Sequence, residues 1–411
     1  MLKKIFPVLL ILTSQENLLF AESYSEYLAN QNGEFSSYKK NAKKSIEDDE
    51  KAFIKFQKEL DRDFNSYQQI YADERKKIEA EINKIWGDRK ISSPKVWIEY
   101  SDDLKTRKIV DFEKGTVRIE KLDHANLDDD QIEKDLINDG IDFLRFSQKQ
   151  AYDSDKFIKN VDNKFLGISK TPKVKTRLDG FKPVLGGAIF GHVPSDKEAD
   201  KFINSSKSDL EIDNSNNPDQ NIYSIEFKIP NNFPNKKAFE FKNDVYRFGK
   251  IWQIDPALIL AVIHSESSFN PMAQSPVPAY GLMQIVPRSA GIDAYNLVYG
   301  ERRVLPASYL FNSRNNIELG TAYLHLLKYK YLDGINNEQS RLYCMIAGYN
   351  TGTGNVAKAF INNMNIREAI DDINRMTPER VYRHLLNNLP YSETKNYLKK
   401  VYERYEMYRK M

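Results

Sequence analysis

The chain has 411 residues, enough for two or three domains with ample core. Its 61 basic and 58 acidic residues leave a net charge of +3, so no polybasic bias points to nucleic acid as a partner. The single cysteine, Cys344, excludes an internal disulfide. The five histidines (His124, His192, His264, His325, His384) lack metal-ligand spacing, so neither a metal nor another cofactor is expected.

Met1-Leu2-Lys3-Lys4, followed by the apolar run Ile5 to Leu12, reads as an export signal too short to span a bilayer. Cleavage after Ala21 would release the chain into the periplasm. Residues 22–90 read as a charged helical segment. Within it Phe53, Phe56, Leu60, Phe64, Tyr67, Tyr71, Ile78, Ile82 and Ile85 recur at threes and fours apart from one gap, which predicts a long amphipathic helix ending at Gly87. Residues 91–235 read as an α+β domain. Strands are expected at Lys95 to Tyr100, Lys108 to Phe112 and Thr116 to Leu122, the last two joined through Glu113-Lys114-Gly115. A helix is expected around Gln131 to Gln150, a polar surface loop from Asn204 to Asn221, and a half-buried strand through Tyr223, Ile225, Phe227 and Ile229.

Residues 236–411 read as all-helical. Asp255-Pro256 starts a helix, since Asp caps free N–H groups and Pro fits the first turn. Leu258 to Ile263 leave that helix almost no polar face, and Phe269-Asn270-Pro271 ends it. Glu266 therefore sits at the negative end of a buried helix, where the dipole and the apolar setting both favour its protonated form. A carboxyl group that keeps its proton near neutral pH is what a general acid needs. A solvated helix-end glutamate is the alternative that this residue alone would leave open. Farther on, Asn315-Asn316-Ile317-Glu318 offers a capping box, Thr377-Pro378 starts a short helix, and Ser392 is expected to cap the last one.

Three ordered motifs carry a family resemblance. Glu266-Ser267, Phe269-Asn270-Pro271, Ala273, Ser275, Gly281-Leu282-Met283-Gln284 and Pro287 resemble the signature of lytic murein transglycosylases of the soluble-lytic-transglycosylase (SLT) type. Ala347-Gly348-Tyr349-Asn350-Thr351-Gly352 resembles the family's Ala-Tyr-Asn-x-Gly segment with one Gly inserted. Pro390-Tyr391-Ser392-Glu393-Thr394-Lys395-Asn396-Tyr397 resembles its closing block with Lys for Arg. Upstream, Ile85-Trp86-Gly87, Pro94-Lys95, Tyr100-Ser101-Asp102, Lys105-Thr106-Arg107 and Tyr223 to Asn231 resemble the N-terminal domain of the C type.

The resemblance implies a lysozyme-like catalytic domain, peptidoglycan glycan strands as the partner, and a monomer. It also implies one residue in two roles, because a single carboxylate stands in the first motif. Glu266 would protonate the oxygen between N-acetylmuramic acid and N-acetylglucosamine, then take the proton of the muramoyl 6-hydroxyl as a 1,6-anhydro ring closes. By the same resemblance Ser275, Met283, Gln284, Tyr349, Asn350, Glu393 and Tyr397 would contact the sugar. Ser275 as a turn residue, Met283 as core packing and Glu393 as an ordinary first-turn carboxylate stay open beside those roles. A goose-type lysozyme, needing a second carboxylate and water, and a non-catalytic wall-binding protein are the alternatives. C-type enzymes are usually lipoproteins; here no cysteine stands near the signal, which leaves outer-membrane association without its usual anchor.

Overall fold

The computed structural model describes residues 46–124, 128–169, 178–215 and 219–411; the expected export signal lies outside them. Helix α1 (Ile46–Trp86) runs 41 residues and buries Leu60, Phe64, Tyr67, Tyr71, Ile82 and Trp86. It stops at Gly87, whose φ of 73° suits the residue without a Cβ. Strands β1 (Val96–Tyr100), β2 (Thr106–Asp111) and β3 (Thr116–His124) follow as an antiparallel meander. Helices α2 (Asp129–Leu144), α3 (Gln148–Ser154), α4 (Lys156–Ile168), α5 (Gly186–Phe190) and α6 (Asp196–Ser206) come next, then β4 (Glu211–Asn214) and β5 (Gln220–Lys228). The sheet order is β1-β2-β3-β5-β4, antiparallel throughout.

Two expectations for this region are corrected. The helix expected to continue to Gln150 breaks after Leu144, because Ser147 and Gln150 form a capping box that starts α3 afresh. The polar stretch expected as loop contributes the end of α6 and the edge strand β4. All four residues of β4 are exposed, so no alternation of apolar and polar residues marks it.

From Phe233 the chain is helical: α7 (Phe233–Glu240), α8 (Lys242–Trp252), α9 (Pro256–Ser267), α10 (Ala290–Tyr299), α11 (Ala307–Leu310), α12 (Ser313–Leu326), α13 (Glu338–Thr351), α14 (Thr353–Ile361), α15 (Ile366–Asn374), α16 (Pro378–Asn388) and α17 (Ser392–Tyr408). Caps follow the sequence at α9, where Asp255 accepts from the Ala257 N–H, and at α16, where Thr377 accepts from the Arg380 N–H. They depart from it at two others. Asn312, not Asn315, caps α12, and Ser392 is the first residue of α17 without capping it. No helix among the described residues is long and apolar enough to cross a membrane.

Buried side chains from Leu60 to Tyr408 form one continuous apolar cluster, so the sheet layer and the helices bury each other. The joint runs through α1 and α4. Tyr67 meets Phe165 edge-on at 5.1 Å, and Tyr71 lies 5.0 Å from Phe157. On α4 the buried Asp162 accepts the N–H groups of Ala307 and Ser308, each at 2.8 Å, and the Tyr152 hydroxyl at 3.1 Å. Burial pushes its carboxyl up, and these donors oppose the shift. Asp162→Ala strands two buried N–H groups and is expected to cost about 2–4 kcal/mol. Urea unfolding with an unchanged slope on denaturant checks this; an unchanged midpoint would show that the joint does not need the carboxylate.

Candidate active site

The site is built on the last turn of α9. Beyond Ser267 the backbone turns left-handed at Ser268 (φ 50°) and Phe269 (φ 66°), which ends the helix and leaves Glu266 partly buried at its C-terminal end. Helix α17 grips α9 at both ends. The Tyr405 hydroxyl donates to the cap residue Asp255 at 3.0 Å, while Arg404 donates to the His264 carbonyl and the Ser265 hydroxyl, each at 3.0 Å. The cation thus meets the negative end of the helix. His264 is a structural neighbour: its Nδ1 lies 3.0 Å from the Tyr408 hydroxyl and its ring packs on Phe269. Burial, reinforced by Arg404 and Lys95, lowers its pKa to about 4, so it stays neutral where Glu266 titrates.

Burial is the main cause that raises Glu266 from 4.5 to about 7. The Glu393 charge adds to the rise; Tyr397 and Lys95 oppose it. Tyr397 brings a buried hydroxyl against the carboxyl without completing a hydrogen bond of normal geometry to any group. Tyr349 stands within electrostatic reach of Glu266, donates its hydroxyl to the Met283 carbonyl at 2.8 Å and packs edge-on against Tyr323. Three sequence-predicted residues, Tyr349, Tyr397 and the exposed Glu393, therefore converge on Glu266, from α13 and α17.

The remaining predicted residues lie around that group without meeting the carboxyl. Met283 is fully buried and lies against Gly320, where an added Cβ would come 2.3 Å from its sulfur. Gln284, left-handed at φ 47°, turns its amide toward the Ala273 and Gly281 carbonyls at 3.2 and 3.1 Å. Ser275 donates to the Val277 carbonyl within its own turn. Asn350 accepts from the Thr394 hydroxyl at 2.8 Å, which ties the second motif to the third.

The loop that carries Ser275, Met283 and Gln284 is pinned by residues to which the sequence reading gave no role at the site. Tyr280 and Ile285 exchange backbone hydrogen bonds at 3.2 and 3.1 Å, closing a tight turn over Gly281 to Gln284. The buried Asn316 fills the mouth of that turn. It accepts from the Met283 N–H at 2.7 Å and donates to the Tyr280 and Leu310 carbonyls, each at 2.8 Å. Gly281 has φ 73°, and a Cβ there would lie 2.4 Å from both the Asn316 amide and the Leu310 carbonyl, so only glycine fits. From the other side, Tyr67 hydrogen-bonds the Tyr280 hydroxyl at 2.7 Å and Tyr71 donates to the Ser275 carbonyl at 2.8 Å. The Ser267 hydroxyl of α9 lies 3.0 Å from the Ile263 carbonyl and 2.8 Å from the Leu282 carbonyl. Arg404 carried a readable signal, since it stands seven residues after Tyr397 on the same helical stripe. The tyrosines of α1 carried none.

A model of the transglycosylase SLT domain matches residues 247–371, and one of the membrane-bound lytic murein transglycosylase C N-terminal domain matches residues 60–142. The chain is 32% identical to a membrane-bound lytic murein transglycosylase C of Klebsiella pneumoniae and 34% identical to one of Mannheimia succiniciproducens. Each match spans 80% of this chain and 86% of the relative. Among solved structures, the 70 kDa soluble lytic transglycosylase of Escherichia coli matches 41% of this chain and 24% of its own, at 25% identity and a TM-score of 0.32. The first two motifs lie in the segment matched by the SLT domain, which defines an enzyme class, the SLT-type lytic transglycosylases. The chain belongs to the membrane-bound lytic murein transglycosylase C family and is a lytic murein transglycosylase.

Removing the Asn316 side chain leaves the Met283 N–H and two carbonyls unpaired beside the site. Asn316→Ala is expected to cost about 2–4 kcal/mol and to lower kcat at least about tenfold through a loosened turn. Denaturant unfolding and turnover of purified peptidoglycan check the two effects. Wild-type turnover would show that the turn holds its own shape.

Proposed function

We propose that Glu266 is both acid and base in a non-hydrolytic cleavage of the bond between N-acetylmuramic acid and N-acetylglucosamine. The observation that carries this reading is a partly buried carboxyl whose pKa is raised to about 7 at the end of an apolar helix. A group poised there can give a proton to the leaving oxygen and take one back at similar pH. The bond from the muramoyl anomeric carbon to that oxygen breaks, its electron pair staying with the oxygen that gains the proton. The 6-hydroxyl of the same sugar then attacks the anomeric carbon and returns a proton to Glu266. No water enters, and an intramolecular nucleophile supplies by proximity what a second carboxylate supplies in hydrolysis. Glu393, exposed on the first turn of α17, is the further carboxylate in electrostatic contact with Glu266 among the described residues. Its exposure argues for contact with substrate rather than for activation of water.

In this reading Tyr397 offers its unpaired hydroxyl to the sugar, Met283 and Tyr349 form an apolar wall, and Ser275, Gln284 and Asn350 shape the loops around it. The sheet layer positions the groove, and residues 236–411 act as the catalytic unit. The enzyme works in the periplasm on glycan strands, as a monomer.

Mass spectrometry of digested sacculi tests the chemistry. Anhydromuramoyl ends are expected, and reducing ends would overturn the reading in favour of a muramidase. Glu266→Gln is expected to abolish cleavage with the fold retained. Because the acid form is needed, activity should fall as pH rises through about 7. The linkage has a definite sign. The folded state holds the Glu266 proton more tightly than the unfolded chain does, so the wild type loses stability as pH climbs from 4.5 to about 7. Glu266→Gln should therefore be more stable than wild type by up to about 3 kcal/mol above pH 8, with little difference near pH 4. Thermal unfolding at the two pH values reads this, and an equal gain at both would show that Glu266 titrates normally.

A further inference from the structure

A cleft of about 540 Å³ opens to solvent between α1, β1 and the α3–α4 junction. Gln274 lines it from the loop that carries Ser275, and none of the residues gathered at Glu266 takes part. Ile78, Ile82, Ile91, Trp97, Leu104 and Phe157 make its body apolar. The hydroxyls that line it are already committed: Ser92 to Ile98, Tyr100 to the Lys90 carbonyl, Ser101 to Asp103 and Thr106, and Ser154 to the Ala151 carbonyl. Three acceptor groups remain. Gln274, 6% exposed, turns its amide nitrogen to Asp155 at 3.4 Å, which leaves its Oε1 without a hydrogen bond. Glu99, 7% exposed, pairs with the Lys108 ammonium at 3.3 Å, yet its Oε2 completes no hydrogen bond. Asp155 accepts the Ile158 N–H at 3.0 Å with one oxygen and meets Gln274 with the other.

We propose that this cleft binds a primary ammonium on a short alkyl chain, and that in peptidoglycan the group it takes is the diamino-acid side chain of a stem peptide. An end lined by acceptors selects a head group that only donates, and an ammonium has three donors and no acceptor. The apolar body suits the methylene chain behind that head group. Among the described residues no three acidic, histidine or cysteine side chains gather closely enough to hold a metal ion, which leaves an organic cation. Burial raises both acids, Asp155 to about 6, and an ammonium between them and Gln274 would offset part of that cost. Lys156, exposed at the same cleft and donating to the Asp102 carbonyl at 2.6 Å, offers a cation to the carboxylate that a diamino acid carries beside its amine. A bound ammonium would brace Gln274 and, through the backbone, its neighbour Ser275, whose carbonyl Tyr71 grips from the other side. The inference rests on murein as the substrate and not on the role of Glu266.

Acetylating the free amines of purified sacculi removes the ammonium and leaves the glycan intact. Wild-type kcat/KM is expected to be about tenfold lower on acetylated than on native sacculi. Gln274→Met deletes the unpaired acceptor at similar length, and should shrink that difference to about twofold or less. Binding is read without turnover. The free stem tripeptide ending in the diamino acid should shift the Trp97 indole signal of the wild-type protein in NMR spectra, with about tenfold weaker affinity in Gln274→Met. Equal wild-type turnover of native and acetylated sacculi would overturn the inference, and that comparison stands even if Gln274→Met misfolds. So would a folded Gln274→Met that keeps the full difference and binds the tripeptide as the wild type does. Cadaverine binding where the tripeptide does not would assign the cleft to a free amine and overturn the stem-peptide assignment. Failure of the parent reading is separate: it shows as a wild type that cleaves neither preparation.

Discussion

A carboxyl group keeps its proton near neutral pH where burial outweighs the donors and charges that favour its ionised form, and the end of α9 is arranged so. The helix that delivers Glu266 is apolar on nearly every face, so its last turn stays inside the protein instead of fraying into solvent. A buried helix end leaves carbonyls without partners, and an unpaired carbonyl there would be costly. Arg404 removes that cost at the His264 carbonyl and is not among the charges that act on Glu266. The cation therefore serves the helix and not the carboxyl, and the desolvation that raises Glu266 is left in force.

A carboxyl proposed to react with a sugar is useful only if that sugar is held against it within a fraction of an ångström. The turn from Tyr280 to Ile285 is short and contains two left-handed residues, so it would not hold its shape alone. Asn316 binds it from α12, Ser267 from α9, and the tyrosines of α1 from the opposite side. Each of these contacts comes from a different element. The turn is thus fixed by the packing of the fold as a whole, and its geometry fails if any one of those elements shifts.

Local chemistry was legible in the sequence. Asp255-Pro256 marked the start of α9, the apolar run placed Glu266 at its buried end, and the β-branched and aromatic alternation marked β1, β2, β3 and β5. What could not be read was long-range or shared. Tyr67 and Tyr71 meet residues more than 200 positions away, and nothing in a period of three and four distinguishes a core tyrosine from one that hydrogen-bonds a distant loop. Asn316 looked like an ordinary first-turn residue beside Asn315, which was read as the cap because asparagine caps helices well. Asn312 had the same qualification and took the cap in place of Asn315, which sets Asn316 inside α12, facing the turn. The edge strand β4 was invisible because a strand with no buried face has no apolar period. Of the candidate site, the three residues that converge on Glu266 came from motifs, whereas Asn316, Tyr67 and Tyr71 came from elements that carry none.

Three of the contacts that join the sheet layer to the helical part share one property. Tyr71 grips a carbonyl at Ser275, Asn270 grips a carbonyl at Pro94, and Asp162 takes two N–H groups at Ala307 and Ser308. All three are directed at backbone, so each depends on where the partner segment runs and not on which side chains it carries. Contacts of that kind leave side chains at the interface free to vary while the relative position of the layers stays fixed. For a site whose loop and carboxyl are held from both layers, backbone bonds of this kind set the distance between the layers whatever side chains line it.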